Sequence, residues 1–231
     1  MPYRSVAQSM RALVLYGGWE QHRPELFAEF AVSKLLRSAD VTLEQSLKCL
    51  ARENLRQYDV LLPIWTFGEI TPDQEEGLLR AVEEGLGVVA WHGATSSFLG
   101  SRRHKHLLGG QFVCHPGGER VSYQVDFEAH HPLTEGLDPL EVTSEQYYFL
   151  VDPAIEVVAS TVIVSDEMPW LTGRTAPVAW TNTWGSGHVF YCALGHQLPD
   201  VDNPTTLELL TRALGWASRG SRSPVGSLES G

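Results

Sequence analysis

The stretch that most constrains this chain is Leu86-Gly87-Val88-Val89-Ala90-Trp91-His92-Gly93-Ala94-Thr95. A short apolar run, of the kind that forms a strand buried on both faces, stops at a histidine. Small residues and the Ser/Thr chemistry of a helix start follow it. The pattern predicts a strand-to-helix turn with one polar side chain at its tip. Ligands of open α/β sheets sit outside the carboxyl ends of strands, so His92 is well sited for chemistry. Ala90 and Ala94, two positions to either side, let strand and helix backbones approach while His92 points out. A lone histidine there reads first as a hydrogen-bonded strand end, because a fold does not imply a function. The functional reading gains weight because His22, His115, His131 and His196 also fall at expected strand ends or in loops near glycine or proline.

The chain around this turn reads as alternating strands and helices. Arg11–Tyr16 is a strand ended by Gly17-Gly18, and Pro24 opens an amphipathic helix to about Ser38. Strands over 40–46 and 58–64 follow, with one or two helical turns between them over 47–57. Thr71-Pro72-Asp73-Gln74 is a capping box with proline at the first helical position, and Gly85 suits the end of that helix. After the His92 strand a helix is expected from about Thr95 to Leu108. The order β-α-β-α-β-α-β-α predicts a parallel, doubly wound sheet. Beyond Gly109 the elements are shorter strands joined by long loops, among them a hairpin of 177–183 with 188–193 across Trp184-Gly185-Ser186-Gly187. Asn203-Pro204 caps a final helix to about Ser218, with Leu207, Leu210, Leu214 and Trp216 inward; Trp180 and Trp216 are assigned to the core. One domain over 1–218 is expected, with 219–231 a disordered Gly/Ser-rich tail.

Composition excludes several classes of partner. A formal charge of −11 argues against nucleic acid, which needs a basic stripe. The short cluster Arg102-Arg103-His104-Lys105-His106 is expected on a solvated helix face. No run reaches the roughly 18 apolar residues of a membrane span. Residues 1–11 carry no apolar signal-peptide core, so a cytoplasmic protein is expected. Cys49, Cys114 and Cys192 are too few and too scattered for a disulfide framework, and their spacing fits no zinc motif.

An ordered set of segments carries a family resemblance across about 11–218: Gly17-Gly18-Trp19-Glu20-Gln21-His22, Trp91-His92-Gly93-Ala94, Gly109-Gly110-Gln111-Phe112, His131-Pro132-Leu133-Thr134-Glu135-Gly136-Leu137, Glu145-Gln146-Tyr147 and the long run from Pro177 to His196. Together they resemble the ThuA-like (trehalose utilisation) family of the class I glutamine amidotransferase-like superfamily. The resemblance implies a flavodoxin-like three-layer α/β/α sandwich. It also marks a departure. In a glutamine amidotransferase the residue at the turn is a nucleophilic cysteine, completed by a histidine and a carboxylate. Here that position holds His92, and Gln197-Leu198 after His196 removes the usual His-x-Glu partner. Cysteine acyl transfer needs a thiolate beside an imidazole, so glutamine hydrolysis by that route is not expected.

With strands ordered as in that fold, His22, His92 and His196 converge at the carboxyl edge of the sheet, and Glu145 joins them from its loop. This catalytic set permits two chemistries. The side chains can ligate a divalent metal such as zinc, or act without metal as acid and base on a polyol or keto-sugar. Their dispersed spacing chooses neither. Trp19, Trp65 and Trp91 at strand ends, with Tyr147, are the candidates to bind a sugar-like ligand, aromatic faces suiting the apolar side of a sugar ring. Packing is their ordinary alternative role. Two functions stay open: an enzyme of small carbohydrates or oxidised sugars, and a non-catalytic ligand-binding module. A thiol hydrolase using Cys114 and His115 is disfavoured, because neighbours on a strand point to opposite faces. A homodimer is the expected assembly, although no segment marks its interface.

Overall fold

The structure is a computed structural model that describes residues 9–51 and 53–218. The expected tail at 219–231 and most of the N-terminal segment lie outside the described residues. Among the described residues there are eleven strands: β1 (Arg11–Gly18), β2 (Asp40–Glu44), β3 (Val60–Thr66), β4 (Gly87–Trp91), β5 (Gly110–Cys114), β6 (Val121–Phe127), β7 (Leu140–Ser144), β8 (Tyr148–Val151), β9 (Glu156–Val162), β10 (Thr175–Trp184) and β11 (Gly187–Cys192). The helices are α1 (Pro24–Phe30), α2 (Pro72–Glu83), α3 (Arg102–Leu108), α4 (Leu198–Val201) and α5 (Pro204–Ala217).

Nine strands make one sheet in the order β2-β1-β3-β4-β11-β10-β9-β6-β7, while β5 and β8 form a separate antiparallel ribbon. The first five are parallel, and from β10 outward each pairing is antiparallel. The fold class is therefore the expected flavodoxin-like α/β sandwich, extended by an antiparallel wing. Its logic is visible in burial. All five residues of β4 are buried, as a strand covered on both faces requires. The wing strand β6 instead alternates buried Tyr123 and Val125 with exposed neighbours. Trp180 on β10 is fully buried and donates from Nε1 to the carbonyl of Leu108 at 2.8 Å. Its indole therefore carries apolar area and a satisfied polar atom together.

Two helices start as their sequences dictate. Thr71 accepts from the backbone N–H of Gln74, and the Gln74 side chain accepts from the N–H of Thr71. Asn203 caps α5 through Thr206 N–H. That helix buries Leu209, Leu210, Ala213 and Leu214, while Leu207 is half-buried. Trp216, assigned to the core above, is only half-buried and stacks on His188 at 4.5 Å between ring centroids.

Two expectations fail in the middle of the chain. No helix starts at Thr95: a 3-10 turn spans His92–Ser96, and α3 begins at Arg102, capped by Ser101 Oγ accepting from His104 N–H. Ser97 in extended conformation and Phe98 at φ 51° separate the two. The basic cluster is not a solvated face either, since His104 and Lys105 are buried. The Lys105 ammonium donates to the carbonyls of Thr95 and Ser97, satisfying backbone oxygens that the broken helix leaves behind. No helix among the described residues is long and apolar enough to cross a membrane.

Burial, with Lys105 beside it, drives the His104 pKa from 6.5 down to about 3. In the unfolded chain the imidazole takes a proton near pH 6.5, and in the folded chain only near 3. The stability this linkage contributes is complete above pH 6.5 and is lost as pH falls towards 3. His104→Phe, which keeps the ring packed on Phe98, removes that linkage. Urea unfolding at pH 7 and pH 5 is expected to show the wild type losing about 2 kcal/mol more than the variant.

Candidate functional site

The parallel strands deliver their carboxyl ends to one edge. β1 leads through Gly17 and Gly18 to Trp19, whose backbone N–H bonds the carbonyl of Thr66 at the end of β3. Gly18, at φ 84°, is required there: a Cβ would lie 2.2 Å from that same Thr66 oxygen. The 3-10 turn that follows (Glu20–His22) brings His22 back over the β1/β3 crevice, where its Nδ1 lies 2.9 Å from Thr66 Oγ1. This crevice is the switch point of the doubly wound sheet, since β1 has β2 on one side and β3 on the other.

β4 ends in His92 at φ 44°, a left-handed conformation that a residue with a Cβ adopts only under constraint. The constraint is hydrogen bonding. Tyr191 Oη donates to the His92 carbonyl at 2.7 Å, and Nδ1 of the imidazole lies 3.2 Å from the carbonyl of Ala193. That bond needs a proton on Nδ1, which leaves Nε2 as an acceptor for Tyr147 Oη at 3.1 Å. The side chain does not project into solvent as expected, being only 3% exposed. β11, in register with β4 up to the pair Cys192–Trp91, continues through Gly195 to His196.

The three imidazoles converge. His22 and His92 ring centroids are 4.7 Å apart, His92 and His196 5.4 Å, and His22 and His196 5.6 Å. Glu145, between β7 and β8, completes the cluster. Its Oε2 is 3.5 Å from His92 Nε2 and 3.3 Å from His196 Nδ1, while Oε1 is 3.6 Å from His115 Nε2. The His196 contact is an ion-pair distance without the alignment of a hydrogen bond, so among the described residues that buried Nδ1 has no hydrogen-bonded partner. Tyr123 Oη donates to the Glu145 carbonyl, and the buried Gln146 side chain bonds Thr161, Val162 and Val164. The carboxylate is thus held on a rigid mount.

Electrostatics separates the members. Burial and the nearby His22 drive the His92 pKa down to about 3, keeping it neutral. Burial and His196 also lower His22. Burial alone would raise Glu145, but His196, His92 and His115 around it overturn that and hold it at about 2, fully ionised. The carboxylate raises His196 in return. Burial lifts Tyr147 well above the phenolic range, so it remains a donor. The site therefore holds one anion, one proton-accepting imidazole and two neutral imidazoles.

Of the aromatic candidates, Trp19 is 37% exposed beside His22, with centroids 4.6 Å apart. Trp65 is half-buried against Gly17, and Trp91 is buried with Gly195 against its ring. Tyr147 is buried and serves His92. His131 is remote: its Nδ1 caps the Leu133 N–H and its Nε2 faces Glu156. Thr66 and Tyr191 were invisible as site residues, because a strand threonine or tyrosine carries no signal until its neighbours are known. His115 was singled out only for its place near a strand end.

One nitrogen from each of His22, His92 and His196 lies within 4.8 Å of the others. Zinc bonds imidazole nitrogen at about 2.0–2.1 Å, so a small inward turn of the rings would close them on a single ion. In His22 and His92 the second nitrogen is already engaged, by Thr66 and Ala193, and Glu145 faces Nδ1 of His196. Metal-binding histidines need such partners.

A family model described as ThuA, trehalose utilisation, matches residues 11–217. The chain belongs to this family. Solved ThuA-like proteins share the fold: one from Bacteroides uniformis, 20% identical, with 94% of each chain covered and a TM-score of 0.73. A second, from Parabacteroides merdae, is 17% identical over 94% of this chain and 92% of its own, at 0.74. A cold-adapted β-galactosidase from Rahnella sp. R3 contains a similar unit, 16% identical over 91% of this chain and 31% of that one, at 0.59. Comparison with curated proteins finds no match.

In an NMR pH titration of this ThuA protein, His196 is expected to protonate above the ordinary histidine value of 6.5 and His92 to stay neutral down to pH 4. Glu145→Gln removes the charge that raises His196, so its titration should move to lower pH. An unmoved His196 would mean that the carboxylate does not govern it.

Proposed function

We propose that this protein is an enzyme that moves a proton on a small carbohydrate or oxidised sugar, with His196 as the proton carrier. The observation that carries this reading is the Glu145–His196 pair at the mouth of the cluster. His196 is more accessible than His92: its side chain is 16% exposed against 4%. An acid or base works best with a pKa near the ambient pH, and among the three clustered histidines His196 is the one whose pKa is raised from the ordinary value, by the Glu145 carboxylate beside it. Glu145, held near 2, is too weak a base to take the proton itself. Its part is to orient His196 and stabilise the imidazolium, as the buried carboxylate does in a His–Asp pair.

His92 is neutral and holds its Nδ1 proton on Ala193, so its Nε2 side faces the substrate region with Tyr147. His22 supplies a second neutral imidazole at the switch-point crevice. Trp19, exposed beside it, offers an apolar ring face of the kind that stacks on sugars. The family's description, trehalose utilisation, agrees with a saccharide substrate. A cytoplasmic location and a homodimer complete the reading as further expectations.

A second reading rests on the convergence of the three imidazole nitrogens. His22, His92 and His196 would hold a divalent first-row ion such as zinc. Such an ion would supply Lewis-acid polarisation of a sugar carbonyl or hydroxyl. Metal binding then requires His196 to be neutral, and raised pH would favour it.

Metal content and turnover separate these readings. Protein purified without chelator is compared with His92→Ala by elemental analysis, and a panel of sugars and keto-sugars is screened for binding and conversion. Near one equivalent of metal, lost in the variant, favours the second reading. A metal-free protein that converts a keto-sugar favours the first, with His196→Asn slowing it by roughly 10²–10⁴-fold. Sugar binding without conversion would make the chain a ligand-binding module, and the enzyme reading would fall.

A further inference from the structure

Two buried polar residues meet between the segments that carry the Glu145–His196 pair. Ser144, the last residue of β7, precedes Glu145, and its Oγ donates to Asp200 Oδ2 at 2.7 Å. The same oxygen accepts from the backbone N–H of Gln197, the residue after His196, at 2.9 Å. Both Ser144 and Asp200 are buried. One carboxylate oxygen therefore joins the chain neighbour of Glu145 to the chain neighbour of His196. Asp200 is itself anchored, because Asn203, the cap of α5, donates from Nδ2 to its carbonyl.

The bond to Gln197 has an ordinary explanation, since Gln197 and Asp200 form the capping box of α4. The bond to Ser144 plays no part in that cap, and its use follows from how the wing is hung. β6 joins β9 at Asp126 and Phe127, whereas Ser144 pairs with Val121 at the opposite end of the β6–β7 hairpin. At roughly 3.4 Å per residue, that end stands about 17 Å along the strand from the β9 pairing. Tyr123, which serves the Glu145 carbonyl, lies on β6 and belongs to the same hairpin. Gln146 ties the loop to β9 and the residues just after it. Asp200 ties it instead to the segment that carries His196.

We infer that Asp200 is a positioning residue: by accepting from Ser144 and Gln197 through one oxygen, it holds the Glu145 carboxylate beside His196. The inference rests on the Glu145–His196 pair proposed above and adds a residue that sets its separation, 3.3 Å between Oε2 and Nδ1. The Asp200 charge also raises His196, by less than Glu145 does, so position has to be separated from charge.

The test is a set of double-mutant cycles read by NMR titration of His196 in the full chain, with chelator present. Glu145→Gln is expected to lower the pH at which His196 titrates, and the size of that shift measures how well the carboxylate is placed. The shift is determined in wild type and in Ser144→Ala, Asp200→Asn and Asp200→Ala. Ser144→Ala breaks the tie without changing any charge. Asp200→Asn removes the charge but keeps an oxygen that accepts from both donors. The shift should be full in wild type and Asp200→Asn, and smaller in Ser144→Ala and Asp200→Ala. Thermal melts check folding, and Ser144→Ala, which leaves the α4 cap in place, decides the question if Asp200→Ala does not fold. Equal shifts in wild type and Ser144→Ala overturn the positioning role and leave the Glu145–His196 pair standing. An unmoved His196 on Glu145→Gln in wild type overturns the pair, and the inference with it.

Discussion

The site depends on how the chain satisfies the backbone of one buried turn. From Trp91 to Phe98 every residue is buried, so each carbonyl there must find a donor inside the protein. Tyr191 serves the carbonyl of His92, Ser97 Oγ those of Trp65 and Gly93, and the Lys105 ammonium those of Thr95 and Ser97. A buried lysine is costly unless its charge is used, and here burial lowers its pKa to about 8 while its protons bind the turn. The strained φ of His92 is stable because these partners over-determine it. Without them the imidazole would have no fixed place among its neighbours.

The rest of the cluster follows from topology. Parallel pairing of β4 with both β3 and β11 puts the ends of three strands side by side, and β1 adds the fourth. A reactive set assembled this way needs no sequence proximity, since adjacent parallel strands are only about 4.8 Å apart. Glu145 is the exception, arriving from the antiparallel wing. That explains why its approach is secured separately, by Tyr123 on its carbonyl and by the buried Gln146 amide. The wing thus supplies the carboxylate that contributes most to raising His196.

Much of this was legible in the sequence for physical reasons. β4 announces itself because a strand buried on both faces must be apolar throughout, and α2 because a capping box and an N1 proline leave few alternatives. The convergence of His22, His92 and His196 followed from placing each at a strand end in the resembled fold. What could not be read was governed by contacts distant in sequence. Lys105 looked solvated because the composition of Arg102–His106 is basic; only the buried carbonyls of a turn eight to ten residues earlier draw it inward. Trp91 looked like a ligand platform from its place at a strand end, but Gly195 brings the neighbouring segment against its ring. Helix onset at Thr95 failed because Phe98 takes a left-handed conformation and Ser101 caps later.

The turn also differs from the elbow that presents a nucleophile in other α/β enzymes. A sharp strand-to-helix elbow holds a nucleophile in a strained backbone so that its side chain is presented at the sheet edge. Here the strain persists at His92, but the residue is an imidazole buried among donors, with Nδ1 committed to Ala193 and Nε2 facing Tyr147 and Glu145. An imidazole so fixed cannot rotate to exchange roles between its nitrogens, and at a pKa of about 3 it does not carry a proton at neutral pH. It serves as a neutral acceptor of fixed direction. In the proposed proton-transfer reading the mobile proton resides on a group that is less buried and stabilised by a charge, and His196 beside Glu145 meets both conditions. An elbow of the kind that presents a nucleophile in one chemistry thus holds a neutral acceptor of fixed direction here, and the proposed reactive role falls to the end of β11.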